Sequence, residues 1–198
     1  TGRKDGFSSL RQYGGMSGFP KRGESECDAM DTGHSSTSIS AALGLAKARD
    51  LQGRHNKIFA VIGDGALSGG MAYEALNNAA RLRSNMIIVL NDNQMSISKN
   101  VGGMSNYLGK IRTDTNYTEL KQDVENALEK LPHFGNRLTE RIRGVKDLIK
   151  RIFIPGMLFE DMGITYIGPI DGHDIGQMVT AFNSASKLNA AVIVHVVT

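Results

Sequence analysis

The amino-acid sequence predicts an α/β fold in which a mostly parallel sheet carries helices on both faces, with a helical insert. Two short, largely apolar runs at residues 57–62 and 86–90 flank a stretch of helical spacing, a pattern typical of parallel strands that are covered on both faces. A second strand, helix and strand unit follows at residues 164–194. Between the two units, residues 106–151 place apolar side chains at helical spacing among many charges, which indicates the insert.

The chain begins with a segment that shows neither helical nor strand periodicity. Its first 30 or so residues are rich in Gly, Ser and charge, so we expect an ordered loop or arm. Ser35 or Ser36 can then cap a helix that runs to about Arg49, with Gly53 beyond its end. This helix is expected to pack on the sheet.

The remaining elements follow from apolar runs bounded by glycine or polar residues. They are a strand at 57–62, a glycine turn at 63–70, a helix to about Leu82, a strand at 86–90, a strand at 164–167, a helix from about Asp174 to Leu188, and a strand at 191–194. Two strand, helix and strand units of this kind predict one continuous parallel sheet.

Composition limits the possible functions. The 198 residues, 40% of them hydrophobic, can close one sizeable core, so a single domain over residues 1–198 is expected, with the helical insert inside it. The net charge of +3 is too small to indicate nucleic-acid binding. The apolar runs fall far short of the roughly 20 residues that cross a bilayer, so no membrane span is predicted.

The N-terminus and the cysteine content indicate a cytoplasmic protein. Cys27 is the one cysteine and cannot form an internal disulfide, and the first residues do not resemble a signal peptide. The chain starts in polar residues without a methionine. It is therefore expected to be a piece of a longer protein.

The glycine turn after the first predicted strand is the strongest functional signal. A turn between a strand and a helix can bind a phosphate through backbone N–H groups. Gly63 and Gly65 match the start of a dinucleotide-binding G-x-G-x-x-G, and Asp92 ends the next strand, where a ribose-binding acid would lie. However, Ser68 occupies the third glycine position, and Asp64 would place a carboxylate beside the pyrophosphate.

A divalent cation between that carboxylate and the phosphate would remove the repulsion. Mg²⁺ takes hard oxygen ligands and is commonly held by one carboxylate plus substrate phosphates. Asn93 lies just past the neighbouring strand, and a backbone carbonyl within residues 94–96 could add another oxygen. Together with Asp64, phosphate oxygens and water, these groups would complete an octahedral set at the carboxyl edge of the sheet, where open α/β sheets bind ligands.

The G-D-G segment around Asp64 is followed further along the chain by Asn93. This arrangement resembles the signature of thiamine-diphosphate enzymes. Further segments narrow the resemblance to the 1-deoxy-D-xylulose 5-phosphate synthase family. They are TGHSSTSIS at 32–40, NDNQMSIS at 91–98, PGMLFE at 155–160 and YIGPIDGHD at 166–174. The resemblance covers essentially the whole chain and implies a thiamine-diphosphate-binding fold.

The resemblance implies a parent enzyme that is a transferase. It would condense pyruvate with glyceraldehyde 3-phosphate to 1-deoxy-D-xylulose 5-phosphate and CO2, for isoprenoid, thiamine and pyridoxal synthesis, using thiamine diphosphate and Mg²⁺. The implied metal ligands are Asp64, Asn93 and the Met95 carbonyl. The implied cofactor contacts are Gly33, His34, Ser35, Gly65, Ala66 and Asn93.

The resemblance also implies parts that residues 1–198 do not contain. Family members have a second domain that binds the aminopyrimidine ring and supplies the glutamate that activates the cofactor, and they have a C-terminal domain. We therefore expect this chain to hold the diphosphate and magnesium half of the site, to be inactive alone, and to belong to a homodimeric enzyme. No catalytic residue is assigned within it.

Two other functions stay open at this stage: a different transketolase-like thiamine-diphosphate transferase, and a noncatalytic dinucleotide-binding module. Several residues also have plainer interpretations. His173 is expected in a turn before a helix, and Glu74 on a solvated helix face. His55, His133 and His195 are expected at the surface or in packing. The basic residues within 137–151 are interleaved with acids and indicate a solvated helix face.

Overall fold

A computed structural model of the chain describes residues 2–113 and 157–198. Its helices are a 3₁₀ helix at Lys4–Ser9, α1 at Ser38–Leu51, α2 at Asp64–Leu67, α3 at Gly70–Leu82, α4 at Gly103–Thr113, α5 at Met157–Asp161 and α6 at Ile175–Lys187. Its strands are β1 at Phe59–Gly63, β2 at Met86–Asp92, β3 at Thr165–Asp171 and β4 at Ala191–Val197.

The strands form one sheet in the order β1, β2, β4, β3, and each neighbouring pair is parallel. Both predicted units of strand, helix and strand are present. In the sheet, β4 lies between β2 and β3, so the two units are joined where β4 pairs with β2. In the register of the sheet, Gly63 pairs with Asn91 and Asp92 pairs with Val197. The carboxyl ends of β1, β2 and β4 therefore lie side by side.

Helices lie on both faces of the sheet and cover both sides of β2 and β4, whereas Phe59 and Val61 on one side of the edge strand β1 are exposed. On one face, alternate residues of β2 and β4, such as Ile88 and Ile193, pack with α1 and α3. On the other face, Ile87, Val192 and Val194 pack with α6. The expected α/β fold with a parallel sheet and helices on both faces is confirmed.

Small side chains allow the helices to approach the sheet closely. In α3, Ala72, Ala75, Leu76 and Ala79 are buried at positions i, i+3, i+4 and i+7, which is the spacing of one helix face. Helix α6 begins at the predicted place because Asp174 caps it, accepting a hydrogen bond of 3.0 Å from the Gln177 backbone N–H.

The predicted start of α1 is wrong by one or two residues. Neither Ser35 nor Ser36 caps this helix, because Thr37 occupies the N-cap position and makes no capping hydrogen bond through its side chain. Ser36 instead has a left-handed backbone, with a φ of 69°, and its hydroxyl bonds elsewhere. The local sequence favours a serine cap, but a contact distant in sequence takes the hydroxyl.

The described parts of the N-terminal arm and of the predicted insert agree with the expectations from the sequence. The first 36 residues contain one 3₁₀ helix and several turns, and Arg3 forms an ion pair of 2.8 Å with Asp28 that ties the arm together. Of the predicted insert at 106–151, residues 106–113 belong to α4, and the rest lie outside the described residues. In residues 2–113 and 157–198, no helix is long and apolar enough to cross a membrane.

Candidate functional site

Two acidic side chains meet at the carboxyl edge of the sheet. Asp64 is the first residue of α2, directly after β1, and Asp92 is the last residue of β2. Asp64 is 6% exposed and Asp92 is fully buried. Because β1 and β2 are neighbours in the sheet, the two carboxyl groups lie close together and interact electrostatically.

This contact pushes the two pKa values in opposite directions. Burial, and then the hydrogen bond and charge of Asp92, raise the pKa of Asp64 above its ordinary value. Burial alone would also raise the pKa of Asp92, but hydrogen bonds with His195, Asp64 and Arg112 outweigh it and hold that pKa far below its ordinary value. Asp92 is therefore the more acidic member of the pair.

Asp92 is anchored from three directions. Its Oδ2 atom contacts His195 Nε2 at 3.0 Å and forms a short ion pair with the Arg112 guanidinium. Its Oδ1 atom accepts a hydrogen bond of 3.1 Å from the Gln94 backbone N–H. His195 lies in β4 and Arg112 in α4, so one carboxylate joins three elements of the fold.

The loop after β2 is shaped by its own side chains. Asn93 Oδ1 accepts a hydrogen bond of 3.0 Å from the Met95 backbone N–H, and Gln94 has a left-handed backbone with a φ of 64°. Further along, the Asn100 N–H bonds to the Gln94 carbonyl at 3.1 Å. Among the described residues, the Met95 carbonyl accepts no hydrogen bond. It is thus free to bind a ligand.

The segment before α1 is attached to the glycine turn through Ser36. The Ser36 hydroxyl donates a hydrogen bond of 2.7 Å to the Ala66 carbonyl. His34 is exposed and its Nδ1 lies 2.9 Å from the Ser35 carbonyl. The predicted cofactor contacts at 33–35 and at Gly65 and Ala66 thus belong to adjoining segments, but neither His34 nor Ser35 makes the joining contact.

A cavity of about 200 Å³ lies beside the turn. Its lining residues are Asp64, Gly65, Ser68, Ser96, Ser98, Lys99, Asn100, Val101, Met104 and Ser105. The other predicted site residues do not line it. Asp64 Oδ2 accepts a hydrogen bond of 2.8 Å from the Asn100 amide, a partner that the sequence did not reveal.

Sequence reasoning also missed His195. Expected at the surface or in packing, it is fully buried and makes hydrogen bonds on both sides, to Asp92 and to the Tyr166 hydroxyl at 2.6 Å. The surface alternative is wrong. A histidine inside an otherwise apolar strand at 191–197 was the available signal. His55 is exposed as expected, and His133 lies outside the described residues.

The donor set at this edge has a definite chemistry. In residues 2–113 and 157–198, no three His, Cys, Asp or Glu side chains come together as a metal cage. What the edge offers is one carboxylate that is not already paired with a cation, from Asp64, together with the Asn93 amide and the Met95 carbonyl in the loop after the neighbouring strand β2. These donors carry little negative charge. They therefore suit a hard cation whose other ligands include anionic oxygens of a bound molecule.

The chain is an α/β domain whose fold is similar to that of transketolases. The structure of transketolase from Leishmania mexicana matches 98% of this chain and 24% of that protein, with a TM-score of 0.60 at 19% identity. At that identity, the likeness shows the fold alone.

Sequence comparison defines the family. The family model described as 1-deoxy-D-xylulose-5-phosphate synthase matches residues 1–198, and the chain belongs to this family. It is 66% identical to the 1-deoxy-D-xylulose-5-phosphate synthase of Lachnoclostridium phytofermentans and 56% identical to that of Natranaerobius thermophilus, over 100% of this chain in both cases. It spans 32% and 31% of the lengths of those two proteins.

Proposed function

We propose that this chain is the diphosphate- and magnesium-binding part of a thiamine-diphosphate-dependent transferase. The complete enzyme condenses pyruvate with glyceraldehyde 3-phosphate to 1-deoxy-D-xylulose 5-phosphate and CO2. Membership of the synthase family over residues 1–198 supports this activity. The observation that carries the site assignment is the buried Asp64 carboxylate at the carboxyl edge of the sheet, beside the Asn93 loop.

In this proposal, Asp64, Asn93 and the Met95 carbonyl hold Mg²⁺. Asp64 contributes the one negative charge, while Asn93 and Met95 contribute neutral oxygens, so charge remains to be balanced by two phosphate oxygens. In residues 2–113 and 157–198 nothing hydrogen-bonds to the Met95 carbonyl, and the Asn93 side chain is fixed by its own bond to the Met95 N–H. Asn100 would have to release or share Asp64 Oδ2 when the cation binds.

The diphosphate would lie between the segment at 33–35 and the glycine turn. Gly33, His34 and Ser35 precede α1, and Gly65 and Ala66 lie in α2. The exposed imidazole of His34 and the hydroxyl of Ser35 can donate hydrogen bonds to phosphate oxygens. The bond from Ser36 to Ala66 holds the two segments together, which supports a single ligand shared between them.

The bound cofactor supplies the carbanion chemistry, and this chain binds and orients its diphosphate end. No residue of the chain is proposed to act on the substrates. The groups that activate the ring would come from the pyrimidine-binding domain, so residues 1–198 alone are expected to be inactive. We further propose a homodimeric, cytoplasmic enzyme.

Assays of the natural polypeptide that carries this chain test the proposed activity. With thiamine diphosphate and Mg²⁺, it should consume pyruvate and glyceraldehyde 3-phosphate and release CO2 and 1-deoxy-D-xylulose 5-phosphate. Transfer from ketose phosphates without use of pyruvate would instead indicate a transketolase-like enzyme. Binding of NAD in preference to thiamine diphosphate with Mg²⁺ would indicate a dinucleotide-binding module. Turnover by residues 1–198 alone would contradict the expected division of the site.

A further inference from the structure

A buried chain of hydrogen bonds runs behind the proposed cation site. The Tyr166 hydroxyl lies 2.6 Å from His195 Nδ1, and His195 Nε2 lies 3.0 Å from Asp92 Oδ2. In a neutral imidazole these contacts are satisfied when Nε2–H donates to the carboxylate and Nδ1 accepts from the hydroxyl. Phe159 of α5, which is fully buried, stacks on Tyr166 at a ring distance of 6.0 Å and holds the outer end of the chain.

Arg112 is the second side chain that holds Asp92. It lies in the last turn of α4, its side chain is 14% exposed, and it forms an ion pair with the same Oδ2 atom that His195 contacts. A buried carboxylate is costly unless it is paired and hydrogen-bonded. The position of Asp92 is therefore set by two residues, Arg112 and His195, which lie on different elements.

Asp92 in turn touches both halves of the proposed cation site. Its carboxyl group lies close to that of Asp64, the proposed charged ligand. Through Oδ1 it accepts the Gln94 N–H, which lies between the two other proposed ligands, Asn93 and Met95. A shift of this carboxylate would move the Asp64 side chain and the backbone of the ligand loop together.

We propose that Arg112 and His195 are positioning residues, which hold Asp92 in place so that Asp64 and the 93–95 loop have the geometry needed to bind Mg²⁺ with the cofactor diphosphate. The inference rests on the proposed function. Neither residue touches the cation, and both act through Asp92. Partners that orient metal ligands commonly change metal affinity by about 10–100-fold when they are removed.

The test uses substitutions in the natural polypeptide that carries this chain. His195→Leu and Arg112→Met remove the anchoring groups, whereas His195→Gln retains a donor near the position of Nε2. Mn²⁺, as a spectroscopic substitute for Mg²⁺, is titrated in the presence of thiamine diphosphate, and its affinity is measured by electron paramagnetic resonance. Arg49→Met is the matched control, because Arg49 is also a buried arginine paired with an aspartate, Asp50, but lies at the C-terminal end of α1.

We expect Mn²⁺ affinity to fall by about 10–100-fold in His195→Leu and Arg112→Met. It should stay within a few-fold of wild type in His195→Gln and be unchanged in folded Arg49→Met. The rate at saturating Mn²⁺ and cofactor should be largely recovered, because binding geometry and not the chemical step is affected. If His195→Leu does not fold, the same comparison between Arg112→Met and His195→Gln decides the question.

Two results would overturn the inference while leaving the proposed function intact: wild-type Mn²⁺ affinity in both folded anchor variants, or an equal loss in Arg49→Met, which would make the effect one of general stability. Failure of the wild-type polypeptide to bind Mn²⁺ with thiamine diphosphate would be a different outcome. It would overturn the proposed cation site, and this inference with it.

Discussion

The Ser36 hydroxyl donates a hydrogen bond of 2.7 Å to the Ala66 carbonyl and so joins the segment before α1 to the turn after β1. Ser36 adopts a left-handed backbone to make this contact. The two residues are distant in sequence, yet each adjoins residues proposed to bind the same diphosphate. The bond therefore fixes the width of the proposed phosphate site.

Substitution of Gly69 is expected to disturb this junction. A Cβ atom at Gly69 would lie 2.5 Å from Ser36 Oγ and 3.0 Å from Ser36 Cβ, so Gly69→Ala must displace Ser36. We expect weaker binding of thiamine diphosphate in the presence of Mg²⁺, measured by calorimetric titration. The adjacent substitution Gly70→Ala is the control, because a Cβ atom there meets nothing within 4 Å. Equal affinities in the two variants would contradict this role for Ser36.

Gly168 is expected to be essential for stability. Its φ of 127° is rarely adopted by other residues, and a Cβ atom would lie 2.6 Å from the His195 carbonyl. A strained backbone of this kind costs about 1–3 kcal/mol, and the clash with β4 adds to it. Gly168→Ala should therefore lower the midpoint of thermal unfolding.

The control for Gly168 is Gly44→Ala inside α1, where a Cβ atom meets nothing within 4 Å. Replacing a glycine in a helix interior with alanine gains about 0.5–1 kcal/mol. Thermal unfolding of the two variants should thus shift in opposite directions. A Gly168→Ala variant as stable as wild type would contradict the close approach of β3 to β4.

The start of α6 is expected to weaken in acid. Hydrogen bonds from the Gln177 backbone and side chain hold the pKa of Asp174 below its ordinary value of 3.8. A lowered folded pKa means that the anion stabilises the folded state above pH 3.8 and that this stabilisation is lost as the pH falls through the folded pKa. Asn caps a helix without titrating, so Asp174→Asn should remove this dependence.

Amide hydrogen exchange in the first turn of α6 measures this effect. At neutral pH, wild type should be at least as protected as Asp174→Asn, because a negative charge at a helix N-terminus is favourable. As the pH falls below 3.8, protection should decrease in wild type relative to the variant. A difference between the two proteins that does not change with pH would argue against the Asp174 cap as the titrating group.

Asp64 is expected to reduce stability in the absence of metal. Its carboxyl is buried beside that of Asp92, and both burial and this neighbour raise its pKa. Asp64→Asn removes one of two adjacent acids while keeping a similar shape, so it should raise the midpoint of thermal unfolding at neutral pH in metal-free buffer. Excess Mg²⁺ with thiamine diphosphate should then stabilise wild type but not the variant. A metal-free variant less stable than wild type would contradict this reasoning.

Local patterns in the sequence were sufficient for the elements and for the position of the glycine turn. Apolar runs located the four strands because strands of a parallel sheet between helices are largely apolar, and Asp174 was recognisable as a helix cap. The residues of the G-D-G turn and Asn93 could be placed at one edge because parallel strands end together. These inferences need only neighbours in sequence and the geometry of a parallel sheet.

The contacts that shape the site could not be predicted in this way. His195 and Asp92 are 103 residues apart, and they meet because β4 lies next to β2, a strand order that periodicity does not specify. Asn100 reaches Asp64 only because the loop after β2 folds back over the turn. Ser36 looked like a helix cap because its competing partner, the Ala66 carbonyl, belongs to another element.

The most direct test of the proposed function is a calorimetric titration of the natural polypeptide with thiamine diphosphate, with and without Mg²⁺. Wild type should bind the cofactor tightly only with Mg²⁺, and Asp64→Ala should lose this dependence without unfolding. Glu74→Gln, which removes an exposed carboxylate from α3, is the control and should bind as wild type does. Unaltered, Mg²⁺-dependent affinity in folded Asp64→Ala would show that the cation site is not at Asp64.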